Sequence, residues 1–239
     1  MNRKRFPRSA ARWWAAGVGL AAAGYGLRAG LTWFRYGRPA SSRVHERDEL
    51  LDRFIPIFDV VERHHINVNA PAAVTSAVAQ NMDLSSSPVV RAIFKGREVI
   101  LGAAPDRRPR PRGLVDDVIA LGWVVLAEIP GREIVLGSVT KPWEPNVTFR
   151  SVPPAAFAAF DEPGYVKIAW TLRADATDTN TSVFRTETRA IATDPRARDK
   201  FRWYWSFLSP GIALIRRMSL EPVKKEAERQ AKLERGRQS

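Results

Sequence analysis

The spacing of apolar and polar residues divides the chain into short elements followed by one long one. Val60, Glu62, His64, Ile66 and Val68 share one parity, and Val61, Arg63, His65, Asn67 and Asn69 the other, which predicts a partly solvated strand over Phe58–Val68. Ala70-Pro71 disfavours helix at 70 and starts one at 71, so Ala72–Met82 reads as a helix with Val74, Val78 and Met82 on one side. Ser85–Pro88 caps a second, with Val89, Val90, Ile93 and Phe94 apolar, and Asp106–Arg112 is a basic, proline-rich loop. Gly113–Leu121 reads as a further short helical or turn segment. Trp123–Ile129 and Glu133–Thr140 flank Pro130-Gly131, a turn dipeptide between apolar runs, and predict a hairpin. Val147–Val152 is a third strand and Pro154–Phe160 a helical turn.

A second hairpin follows, Gly164–Ala174 and Ser182–Thr193, across the polar stretch Asp175–Thr181. Val166, Ile168, Trp170 and Leu172 share a face, as residues two apart on a strand do. Pairing 168 with 188 and 170 with 186 sets Phe184, Thr186, Thr188 and Ala190 opposite them. Lys167, Arg185, Glu187 and Arg189 then form a ladder of alternating charge on the other, wetter face. A register slip of one would turn that set inward and make Glu187 a buried carboxylate. Asp194-Pro195 is a helix start, a capping acid before proline at the first turn. The helix after it carries Ala197, Phe201, Tyr204 and Leu208 at helical spacing, with Trp203, Trp205 and Phe207 besides. Pro210-Gly211 should kink or break it, Ile212, Leu214, Ile215 and Met218 resume it, and 221–239 is expected to fray. The fold class is α+β, a curved antiparallel sheet around one long carboxy-terminal helix.

Charge and composition change the picture at the ends. The chain has 239 residues, 38 Lys and Arg against 25 Asp and Glu, and a net charge of +13. Residues 1–47 carry +9 and residues 196–239 +7, while 48–195 sum to −3, so the basicity belongs to the termini. A slightly acidic centre, with aromatics at core spacing, argues against a nucleic-acid binder. Trp13–Leu27 runs 15 residues without a charge, and with Arg28 snorkelling, 13–34 would be long enough to span a bilayer. An uncleaved membrane anchor is the favoured reading; a cleaved leader and a surface-lying helix are its rivals. The expected layout is a basic region and anchor helix over 1–36, a linker over 37–53, the folded domain over 54–222 and a basic tail over 223–239.

Little catalytic chemistry is legible. The chain has no cysteine and three histidines, which removes disulfides and thiolate metal sites and leaves neither a metal nor a cofactor to expect. His64 and His65 are neighbours on a strand, point to opposite faces, and read as structural. Glu128 and Glu133 could meet across their hairpin turn, although hairpin ends are usually solvated. Nucleophile-elbow, phosphate-loop and dinucleotide motifs are lacking. Trp143, Phe149, Trp170, Phe184, Thr186, Tyr204 and Trp205 are the candidate lining of an apolar cavity, and no catalytic residue stands out.

Several stretches in order resemble the SRPBCC superfamily, which includes START lipid-transfer domains and polyketide cyclase/dehydrase-like proteins. They are Pro130–Gly137 (PGREIVLG), Lys141-Pro142-Trp143, Phe157 with Phe160–Tyr165 (FDEPGY), Thr186–Arg189 (TETR) and Phe201–Trp205 (FRWYW). The resemblance covers about residues 56–220. It implies a helix-grip fold with a cavity between sheet and long helix, in which relatives hold lipids, sterols or aromatic polyketides. With the expected anchor, which lies outside the matching part, the function favoured is membrane-tethered binding of a hydrophobic small molecule without turnover. The alternative is a cyclase- or dehydrase-like enzyme working on an aromatic or polyketide substrate in the same cavity.

Overall fold

The computed structural model describes residues 8–38, 47–83 and 113–238. The helix and basic loop expected over 85–112 lie outside them. The elements are α1 (Arg8–Arg35), α2 (Glu49–Asp52), β1 (Val60–Val68), α3 (Ala72–Asn81), α4 (Leu114–Ala120), β2 (Val124–Ile129), β3 (Glu133–Thr140), β4 (Phe149–Arg150), α5 (Pro154–Phe157), β5 (Val166–Asp178), β6 (Thr181–Ala192) and α6 (Pro195–Gln238). The strands form one antiparallel sheet in the order β1-β6-β5-β3-β2, with β4 beside β3.

Both hairpins form where the turn chemistry puts them. Gly131 has φ +71°, a left-handed conformation that glycine adopts freely, and Arg132 N–H closes the turn on Ile129 C=O at 3.0 Å. In the second hairpin the expected polar loop is mostly strand. Asp178 pairs with Thr181, and Trp170 faces Thr188 where Thr186 was expected. The offset is two residues, so each side chain keeps its face.

One face of the sheet is covered by α6, and two apolar cores pin the helix there. Near its start, Phe201 and Trp205 pack with Val60, Val166 and Ala190. Near its end, Leu220, Val223, Ala227 and Ala231 pack with Val68, Ile134, Leu136, Leu172 and Phe184, backed by Val78 and Ala79 of α3. Asp194 caps the helix by accepting from Arg196 N–H (2.8 Å) and Ala197 N–H (3.0 Å). The helix runs through Pro210-Gly211 and on to Gln238 without a break in assignment. The segment expected to fray is therefore part of this layer, because Val223, Ala227 and Ala231 recur at helical spacing and meet the second core.

The other face is not the wet one. Leu50, Leu51, Phe54, Ile55, Val152 and Phe157 cover it and pack on Leu126, Val135, Val139 and Ala169. The charged ladder is thus on the expected face but buried, with Glu187 6%, Arg189 2% and Lys167 8% exposed. Lys167 donates to Ala158 C=O at 2.7 Å, and burial lowers its pKa.

No helix among the described residues is long and apolar enough to cross a membrane. This overturns the membrane-anchor expectation for 13–34 and the membrane localisation built on it. Its alanines and glycines carry little apolar surface, and Arg12, Arg28 and Arg35 break the run of α1. The end of α1 instead docks on α6. Arg202 donates to Trp33 C=O at 3.0 and 3.2 Å and lies 4.1 Å over the Trp33 ring, while Trp33 meets Trp203 edge-on at 5.4 Å. Tyr25 hydroxyl bonds Phe207 C=O, and Tyr36 packs on Phe201.

Candidate functional site

Between the two cores that pin α6, the enclosed face of the sheet turns polar. β1 contributes Glu62 and His64, β6 Thr186 and Thr188, β5 Ile168 and Trp170, and α6 sets Arg216 on the helix side, midway between Ile212 and Leu220. Alternation builds this belt: Glu62 and His64 have the parity of Val60 and Val68, so a strand with apolar ends must turn both inward. Glu62 lies opposite Thr188 and His64 opposite Thr186.

The polar atoms of the belt are unequally satisfied. Trp170 Nε1–H donates to Thr186 Oγ1 at 2.6 Å. Among the described residues, His64 Nε2 and Thr188 Oγ1 are buried without a hydrogen-bond partner, and the Glu62 carboxylate is 3.6 Å from His64 Nε2. That distance is too long for a hydrogen bond. The Arg216 guanidinium lies 5.1 Å over the Trp170 ring. Burial pulls its pKa down to about 10, partly opposed by Glu62, so it is a cation at neutral pH.

The seven residues expected to line a cavity distribute around this belt. Trp170 and Thr186 are in it, and Phe184 borders it in the second core. Trp205, Tyr204 and Trp143 belong to the first core, where Tyr204 stacks on Phe201. Phe149 meets Trp123 at 5.5 Å, and Trp123 meets Trp170 at 6.4 Å, between ring centres. Glu62, His64, Thr188 and Arg216 were missed. A signal for each was present: two polar residues inside the apolar parity set of β1, a threonine on the face of Trp170, and an arginine four residues from Ile212 and from Leu220.

The opposite face holds a separate ionic network. Arg63 pairs with Glu187, Arg189 with Glu187 and Asp52, and Arg132, Arg173 and Arg185 with Asp175. Glu133 does not meet Glu128 across the turn, since Glu128 faces Ile134 and is exposed. Glu133 is buried and accepts from Thr171 at 3.0 Å. Burial, with the Asp48 carboxyl beside it, raises its pKa to about 7. A pocket of ≈ 40 Å³ is lined mostly by this network, from Asp48, Arg63 and His65 to Arg185 and Glu187, and also touches His64 and Thr186 of the belt; it has enough room for water and little more. Because its arginines are already matched by carboxylates, this network reads as structural. No group of three or more His, Asp or Glu that could hold a metal occurs among the described residues.

The topology is an antiparallel sheet packed against a long carboxy-terminal helix. No family model matches the chain, and no curated protein matches it. Among solved structures it is similar to the di-domain aromatase/cyclase BexL of the BE-7585A biosynthetic pathway, at 15% identity over 71% of this chain and 46% of that one, with a TM-score of 0.27. It is also similar to the Zhui aromatase/cyclase from Streptomyces sp. R1128, at 15% identity over 72% of this chain and 94% of that one, with a TM-score of 0.22. The chain spans less than half the length of BexL. Superpositions this loose carry nothing about activity.

Proposed function

We propose that the chain holds an aromatic or polyketide-like molecule between the polar belt and α6, and moves a proton on it in the manner of a cyclase or dehydrase. The observation that carries this reading is the pair of buried atoms His64 Nε2 and Thr188 Oγ1, without a hydrogen-bond partner among the described residues, on the face that α6 covers. Leaving such groups unpaired costs about 1–3 kcal/mol each, a cost that a ligand carbonyl or hydroxyl between them would relieve. In the reaction, His64 Nε2 takes the proton from a carbon next to a carbonyl. Thr188 donates a hydrogen bond to the carbonyl oxygen where charge develops. His64 returns the proton to a departing hydroxyl, which leaves as water.

The test is the N-acetylcysteamine thioester of a short linear poly-β-ketone, followed by mass spectrometry and near-ultraviolet absorbance. The chain should speed ring closure with loss of water, and His64→Gln should slow it by about a hundredfold, the lower end for a positioned acid–base group. No acceleration over heat-denatured protein removes the catalytic reading. Retention of the thioester by such an inactive protein leaves binding without turnover.

A further inference from the structure

Arg216 differs from the arginines of the opposite face. There, Arg63, Arg173, Arg185 and Arg189 each have a carboxylate within 3.2 Å. The backbone C=O of Arg216 accepts from the Ser219 hydroxyl, but its guanidinium has no hydrogen bond or ion pair among the described residues. Its contacts are the Trp170 ring and the through-space pull of Glu62. Its place is fixed from both sides, since Ile212 packs in one core and Leu220 in the other, four residues to either side. A guanidinium held against the π face of an indole and by no acceptor keeps its N–H donors free. A cation held in an enclosed layer without a bonded anion is costly unless something supplies one.

We propose that Arg216 anchors an anionic oxygen of the ligand, a carboxylate or an enolate, so the molecule taken by this site is a flat aromatic or polyketo acid and not a neutral lipid. This rests on the belt being the binding site. The oxygen would sit in the plane of the guanidinium, with the ring system beside Trp170 and toward His64 and Thr188. An oxyanion that forms when His64 removes a proton would then be met by a cation already in place.

The test uses matched probes on the full chain. N-phenyl-1-naphthylamine, neutral and fluorescent, reports occupancy, and 1-naphthoate and 1-naphthalenemethanol compete for it with the same ring system and different charge. Naphthoate should displace the reporter at about tenfold lower concentration than the alcohol, as suits a charge-assisted hydrogen bond in an enclosed site. The preference should persist in 0.5 M salt, where attraction to exposed arginines is screened to within a few ångströms. Arg216→Met should make the two competitors equal to each other, whatever its effect on the reporter's own affinity, and Arg216→Lys should keep part of the preference. Equal displacement by both competitors in the unmodified chain overturns the proposal, as does a preference that vanishes in salt or survives in a folded Arg216→Met. Reporter binding that is absent, or indifferent to Trp170→Ala, overturns the reading of the belt as the site, and this proposal with it. Binding that needs Trp170 but shows no acid preference overturns the role of Arg216 alone.

Discussion

Arg63 and Glu187, opposite each other on β1 and β6, form a two-pronged ion pair, Nε to Oε2 at 2.8 Å and Nη2 to Oε1 at 3.1 Å. Glu187 Oε1 also accepts from Arg189 Nε at 2.7 Å, and Arg189 reaches Asp52 at 2.5 Å and Ile55 C=O at 2.9 Å. One carboxylate therefore ties two strands to the segment that covers the back of the sheet. Glu187→Ala should cost about 3–5 kcal/mol, the range for removing one partner of a buried pair. Urea denaturation measures it. A loss under 1 kcal/mol would mean that the arginines find other partners.

Glu133 should make stability fall as the solution is made more alkaline. Its folded pKa is about 7 against an ordinary 4.5. Below 4.5 the carboxyl is protonated whether the chain is folded or not. Between 4.5 and about 7 the folded chain alone holds the proton, so stability declines with rising pH and levels off above that window. Glu133→Gln keeps a neutral side chain throughout and should remove this component of the slope. Thermal melts of both proteins at pH 5 and pH 8 check it, and parallel slopes would count against a proton held on Glu133 by its burial.

Gly137 is needed for space. A Cβ there would lie 2.4 Å from Leu126 Cδ1 and 2.9 Å from Phe157 Cε2, closer than side-chain carbons approach. Phe157 is fully buried and Leu126 nearly so, so neither can swing aside. Gly137→Ala should cost about 1–3 kcal/mol, as overpacking does. Gly137→Ala with Leu126→Ala should recover part of the loss, read from the same melts.

Ala227 tests the last third of α6. It is fully buried against the core that holds Val78 and Phe184. Ala227→Asp puts an unpaired carboxylate there and should cost about 3 kcal/mol or more. Hydrogen exchange should show protection lost first over residues 220–238. An unchanged melt would return that stretch to a solvated tail.

Local chemistry wrote much of the fold into the chain. The turn at Gly131, the cap at Asp194 and the apolar alternation of β5 and β6 act over a few residues, and each placed its element. The same alternation assigned faces correctly even where the β5–β6 register was off by two, because a shift of two preserves the side of a strand. It placed Trp170 and Thr186 together as well. What covers each face is a matter of contacts distant in sequence. Residues 48–58 bury the Glu187 ladder. Two separate cores hold α6 so that Arg216 stands over Trp170, and α1 lies against α6 because Arg202 meets Trp33. Periodicity reports which side chains share a face; only the packing of remote segments decides which face is dry, and which polar groups on it lack a partner.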